Sequence, residues 1–176
     1  MNKLRPKDNE CMTGNERVRF RIATLDDVEQ LADLRWRLKT DDATEFSADE
    51  RSKFIAAFVE SVSASLSNRT FCHWVAETDG RIVAAMSVGK VRKVPSPELI
   101  ESCWGYLTNC YTLPDYRNAG IGSALLGAVT QWAKDQGYEF LAVWPSDRSY
   151  PFYERSGFHR YADPLVLQID EQDSHG

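Results

Sequence analysis

The chain has 176 residues, the length of one domain by the usual ~100–200 residues per domain. Hydrophobic residues make 43% of it and charged residues 27%, which excludes disorder over the bulk of the chain. Twenty-one Lys and Arg stand against 26 Asp and Glu, and a net charge of −5 argues against a nucleic-acid phosphate backbone as partner.

Residues 1–16 are polar and aperiodic and read as a loose, disordered tail, so the domain is placed at 17–176. Val18, Phe20 and Ile22 alternate with Arg19 and Arg21, the pattern of a half-buried strand. Thr24 followed by Asp26 and Asp27 starts a helix with the apolar stripe Val28, Leu31, Leu34 and Leu38. Ser47 with Glu50 forms a capping-box pair, and Ile55, Phe58, Val59, Val62 and Leu66 share one face of the helix after it. Cys72–Thr78 and Arg81–Val91 read as a hairpin around Asp79-Gly80. Gly105–Leu113 is a strand stopped by Pro114, and Ile121–Gln136 is a helix stopped by Gly137. Phe140–Trp144 is a short apolar strand, Pro151–Ser156 a short helix, and Leu165–Ile169 a last strand. The order predicts an α/β (α+β type) fold: one mixed sheet of about six or seven strands flanked by about four helices.

The longest apolar run, Ile121–Val129, falls short of the ~18 residues that cross a bilayer. The N-terminus lacks the apolar core of a secretory signal. Cys11, Cys72, Cys103 and Cys110 form no C-x-x-C pair and the histidines are scattered, so neither a metal site nor a disulfide framework is expected. These readings predict a cytoplasmic protein with free thiols, no metal and no membrane partner.

Chemistry concentrates in Arg117-Asn118-Ala119-Gly120-Ile121-Gly122, between a predicted strand and a predicted helix. A glycine turn there exposes backbone amides at a helix N-terminus, where the dipole favours an anion such as a pyrophosphate. Arg117 adds a charged fork. The stretch is not a dinucleotide fingerprint, because Leu125 stands where the third glycine belongs, and no Gly-Lys-Ser/Thr follows as in a P-loop. A second segment, Phe152-Tyr153-Glu154-Arg155-Ser156-Gly157-Phe158, lies one predicted strand further on.

Together these segments resemble the GNAT superfamily of N-acetyltransferases, whose central strand, loop and helix match LTNCYTLPDYRNAGIGSALL over Leu107–Leu126. The resemblance extends from Val18 to Ile169. It implies acetyl-CoA as co-substrate and an amine as acceptor. The pyrophosphate loop is then Arg117, Asn118, Ala119, Gly120, Ile121, Gly122 and Ser123. Cys110, Tyr111, Thr112 and Leu113 pair with the pantetheine arm. Tyr153 is the general acid for the leaving thiolate, and the Tyr111 amide is the expected donor to the oxyanion. The chain departs from many members at Ser146 and Ser149, where they carry Asn and Ala; Ser146 keeps a hydrogen-bond donor for the pantetheine.

The predicted reaction is acetyl transfer to a primary amine of a small molecule or peptide, by direct attack in a ternary complex. The alternatives are transfer of a longer acyl group, or a coenzyme A-binding sensor without catalysis. Homodimers are common in the family, so a homodimer is expected.

For the acceptor site and the base, the candidates are Glu77, Glu98 and Glu101 as the nearest acids by topology. Asn109 stands where some members of the family put an acid. Trp36 is predicted exposed, about 140° off the first helix's stripe. For each, the alternative is a plain surface or packing role, and for His73 a structural one. The acidic surplus at Asp41, Asp42, Glu45, Glu98 and Glu101 suits a cationic amine.

Overall fold

The computed structural model describes residues 9–13, 16–41 and 46–160. Backbone contacts divide the chain into two compact units, Met1–Trp144 and Pro145–Gly176.

The first unit holds one sheet in the order β1-β2-β3-β4-β5-β6. Its strands are β1 (Asn9–Thr13), β2 (Glu16–Ile22), β3 (Phe71–Thr78), β4 (Arg81–Arg92), β5 (Cys103–Thr112) and β6 (Leu141–Ala142). Neighbours β1 to β5 are antiparallel; β5 and β6 are parallel. Two sequence expectations change here. Asn9–Thr13, read as loose tail, form a ladder with β2 from Asn9↔Phe20 to Thr13↔Glu16, because their backbone groups find partners along that edge. Against the expected six or seven strands, the described residues give six, of which β6 is only two residues long, so five are substantial. Of Phe140–Trp144 only Leu141 and Ala142 pair with β5, and the strand expected at Leu165–Ile169 lies outside the described residues.

Three helices belong to this unit: α1 (Val28–Thr40), α2 (Ala48–Asn68) and α3 (Ile121–Asp135). The capping box at α2 forms as expected, with Ser47 Oγ accepting from the Glu50 amide at 3.2 Å and Glu50 Oε2 accepting from the Ser47 amide at 2.8 Å. The β3–β4 hairpin also forms, with Asp79 (φ 48°) and Gly80 (φ 75°) both left-handed, as its two-residue turn demands. Successive residues of a strand point to opposite faces. His73 reaches Ser65 of α2, while Trp74 packs edge-on to Trp132 of α3 at 6.2 Å, so α2 and α3 cover opposite faces of the sheet. Residues 82–89 of β4 are consequently all buried, and the run IVAAMSVG needs no polar alternation.

The second unit contains a 3-10 turn, Asp147–Ser149, and the short helix α4 (Tyr150–Arg155), which carries the buried Tyr153. Among the described residues no helix is long and apolar enough to cross a membrane.

Candidate active site

The central strand β5 changes sides halfway along. The Gly105 amide donates to the Phe140 carbonyl at 2.9 Å on the β6 side, and the Leu113 amide donates to the Val83 carbonyl at 2.9 Å on the β4 side. Eight residues apart in a regular strand, both amides would face the same way. The ladder resolves this with one extra residue on β5: Ala85 pairs with Tyr111 but Ser87 with Thr108. The bulge sits at Asn109, whose φ of 53° is left-handed, a conformation that Asn tolerates and β-branched residues do not.

The consequence is chemical. After the bulge, Leu113 and Tyr111 turn their amides to β4, and Cys110 and Thr112 turn theirs to the opposite edge. Among the described residues β6 covers only Gly105 and Tyr106 of that edge. Tyr111's amide, the expected oxyanion donor, therefore faces β4, and Cys110's turns to the opposite edge. The Thr112 carbonyl shows the same orientation, accepting Arg117 Nε at 2.9 Å.

Beyond β5 the chain passes a 3-10 turn, Pro114–Tyr116, into an exposed loop where Asn118 (φ 61°) and Gly120 (φ 79°) are both left-handed. The first amide to bond back along α3 is Ala124, to the Gly120 carbonyl at 3.0 Å. The amides of Ile121, Gly122 and Ser123 have no acceptor within the helix, which suits an anion at the helix N-terminus. This arrangement fits the diphosphate of a coenzyme A thioester. Arg117 flanks the loop, and its Nη2 lies 3.1 Å from Asp41 Oδ2 at the end of α1. The same carboxylate oxygen accepts the Tyr111 hydroxyl. Burial, then this bond to Asp41, pushes the Tyr111 phenol up to about 12.

A polar chain, buried at Ser65, His73 and Ser87 and half-buried at Asn109 and Arg35, supports the bulge from the α1–α2 face. Arg35 Nη1 lies 3.5 Å from Asn109 Oδ1, and Asn109 Nδ2 lies 3.5 Å from Ser87 Oγ. Ser87 Oγ is 2.8 Å from His73 Nδ1, and His73 Nε2 is 2.9 Å from Ser65 Oγ. Ser65 donates its one proton to the Val62 carbonyl at 2.9 Å. That direction assigns the whole chain: His73 carries its proton on Nε2, and Nδ1 accepts from Ser87. Burial lowers the His73 pKa to about 4. A neutral, doubly hydrogen-bonded imidazole is structural, which removes His73 as the base.

The other expected acceptor residues separate. Trp36 is half-buried rather than exposed, its ring 5.1 Å from Phe46 and 5.3 Å from Phe54, so its place off the apolar stripe is covered by a neighbouring helix and loop. Glu77 is held by Arg21, whose Nε stands 2.6 Å from Oε2. Glu98 and Glu101 are exposed in the segment between β4 and β5. Ser146 and Ser149 belong to the second unit and bond each other, Oγ to Oγ at 3.2 Å. Tyr153, in the same unit, packs its ring 5.0 Å from Phe152 and 5.5 Å from Phe158. Asp42 and Glu45 lie outside the described residues.

One residue went unread in the sequence. Arg35 stands four residues after Leu31 and one after Leu34, on the sheet-facing side of α1, where the stripe predicts an apolar residue. A charge inside an apolar stripe was the available signal.

Residues 28–158 match the family model described as Acetyltransferase (GNAT) family. Glucosamine 6-phosphate N-acetyltransferase of Trypanosoma brucei brucei is 27% identical over 108 residues, which are 60% of this chain and 68% of that protein. A Clostridium acetobutylicum protein described as a predicted acetyltransferase, solved with acetyl-CoA, is 25% identical; the match covers 90% of this chain and 99% of that one, with a TM-score of 0.70. Glucosamine-6-phosphate N-acetyltransferase from Arabidopsis thaliana, 19% identical over 87% of this chain and 99% of that one, shares the fold with a TM-score of 0.62. With the bulged central strand and amide-rich loop already in place, this match over most of the chain shows that the protein belongs to the GNAT family of acetyltransferases.

Proposed function

We propose that the protein transfers an acetyl group from acetyl-CoA to a primary amine of a small molecule or peptide, by direct attack within a ternary complex. The observation that carries this reading is the bulge at Asn109, after which the Cys110 and Thr112 amides turn away from β4, on the strand that leads into the amides of Ile121, Gly122 and Ser123 at the start of α3. Cys110, Thr112 and Leu113 line the pantetheine arm, and Arg117 with the loop through Ser123 holds the diphosphate.

The amine attacks as a neutral base, having given its proton to water, and the thioester carbonyl becomes a tetrahedral oxyanion. The Cys110 amide donates to that oxygen; a donor of this kind is worth ~10²–10³ in turnover. The C–S bond breaks, the thiolate takes a proton from the Tyr153 hydroxyl, the role the family motif gives it, and the extra proton on the attacking nitrogen passes through water back to the phenolate, leaving a neutral amide and a free thiol. Ser146 supplies a donor to the pantetheine. No covalent enzyme intermediate is needed, so Cys110 serves through its backbone.

Acetyl-CoA is expected to raise the melting temperature by mass action, and an amine panel is expected to release free thiol. No melting shift at millimolar acetyl-CoA overturns the reading. Tyr153→Phe is expected to lower turnover and leave coenzyme affinity in place; unchanged turnover removes Tyr153 as the acid.

A further inference from the structure

Arg35 is a half-buried cation without a countercharge among the described residues. Its one hydrogen bond among the described residues is the 3.5 Å contact to Asn109 Oδ1, at the outer limit for such a bond, so most of its five N–H donors are unfilled. Burial lowers its pKa from the usual value, and only the Tyr106 phenol opposes that. No described carboxylate pairs with it, because the acids of that region are already engaged. Asp27 and Glu77 hold Arg21, Asp33 holds Arg51, and Asp41 holds Arg117. The other cations late in α1, Arg37 and Lys39, are exposed to water. Charged groups removed from water are ordinarily paired. An arginine kept on the sheet face of α1, against the bulge residue that precedes Cys110, therefore has no anion among the described residues.

We propose that Arg35 anchors an anionic group of the acceptor, so that the acceptor is a primary amine bearing a carboxylate or a phosphate. The planar fork suits either anion. Its contact with Asn109 puts the anchor one residue from the Cys110 amide proposed to meet the oxyanion, so the anion and the amine lie within one small molecule. This rests on the transferase reading and narrows its substrate class. It also alters the expectation drawn from net charge: the acceptor is zwitterionic rather than simply cationic.

Matched pairs of amines test it on the coenzyme-loaded protein. Glucosamine 6-phosphate against glucosamine probes a phosphate, and β-alanine against β-alaninamide probes a carboxylate. Binding is read by calorimetry and turnover by thiol release. The charged member of one pair is expected to be favoured about ten- to a hundred-fold in Kd or KM. Arg35→Gln should collapse that ratio toward one, with Arg35→Lys recovering part of it. The pair that responds identifies the anion. No charge preference in either pair, or a ratio that survives Arg35→Gln, overturns the proposal. The melting shift with acetyl-CoA separates the two readings. If the shift and thiol release persist without charge preference, only the Arg35 anchor falls. If the shift is absent, the transferase reading falls, and calorimetry without coenzyme still reads the anchor.

Discussion

Arg117 is counter-charged from within the chain: its Nη2 lies 3.1 Å from Asp41 Oδ2, and its guanidinium sits 5.3 Å over the Tyr111 ring. The carboxylate at the end of α1 thus competes with any phosphate for the same fork. Arg117 is 42% exposed and Asp41 25%, a setting in which an ion pair contributes about 0.2–1 kcal/mol. Asp41→Asn is therefore expected to tighten coenzyme A binding by roughly 1.5- to 5-fold, by that energy converted at about 1.4 kcal/mol per tenfold. Titration calorimetry measures it. Weaker binding in the variant means that Asp41 positions Arg117 instead of competing for it. The Tyr111 phenol should also titrate closer to its ordinary ~10 in the variant, read by tyrosinate absorbance.

Asn109 sets the side to which Cys110 turns its amide, through a left-handed φ of 53°. Asn109→Gly keeps that conformation at little steric cost. Asn109→Val opposes it by about 1–2 kcal/mol and favours a regular strand that would return the Cys110 amide to β4. Turnover should fall in the order wild type, Gly, Val, with the Val variant down by at least about tenfold. Steady-state rates alongside melting curves test the order; equal rates for the Gly and Val variants would separate the bulge from catalysis.

His73 makes the protein acid-sensitive. Its pKa is about 4 in the fold, set by burial, against an unfolded value of 6.5. Between those values the unfolded chain binds the extra proton, so stability rises with pH across that window. The contribution is complete above pH 6.5 and lost as pH falls through 4, for a total on the order of 3 kcal/mol. His73→Gln, which does not titrate, should flatten the melting temperature between pH 4 and 6.5. An unchanged acid limb assigns it to the carboxylates instead, Asp27 first. Burial raises the Asp27 carboxyl, but the Arg21 fork and the Thr24 amide together hold it below the usual range.

Two glycines should respond differently to the same change. A Cβ on Gly105 would stand 2.5 Å from Leu141 Cδ2 and 2.8 Å from Val88 Cγ1, so Gly105→Ala overpacks the join of β5 and β6 and is expected to cost about 1–3 kcal/mol. A Cβ on Gly120 meets nothing within 4 Å, and only its φ of 79° opposes a side chain, for about 1–2 kcal/mol. Coenzyme affinity should fall in Gly120→Ala beyond what its melting temperature explains, because the loop's amides turn with that residue. Urea unfolding with calorimetry on both variants checks the contrast.

Much of the architecture was legible in residue order. The Ser47–Glu50 pair, the Asp79-Gly80 turn and the Gly137 stop are local signals, and each ends or starts its element as local hydrogen bonding requires. The loop from Arg117 to Gly122 was equally legible, because turn glycines before a helix are encoded within a few residues. For Trp36 and Glu77, helical angle and strand position give a direction but not the neighbour that fills it. Phe54 of α2 meets Trp36, and Arg21 of β2 meets Glu77.

The sequence by itself determined an acidic, one-domain-length α/β chain with a GNAT loop, since composition, periodicity and a contiguous motif need no long-range contact. It could not show which amides of β5 turn away from β4. A one-residue bulge reverses that direction, and a bulge exists only as a register between two strands. Nor could it show that 21 Lys and Arg against 26 Asp and Glu would leave Arg35 without a described carboxylate partner. Net charge is a sum over residues, whereas pairing is decided by which side chains the fold brings within a few ångströms of one another.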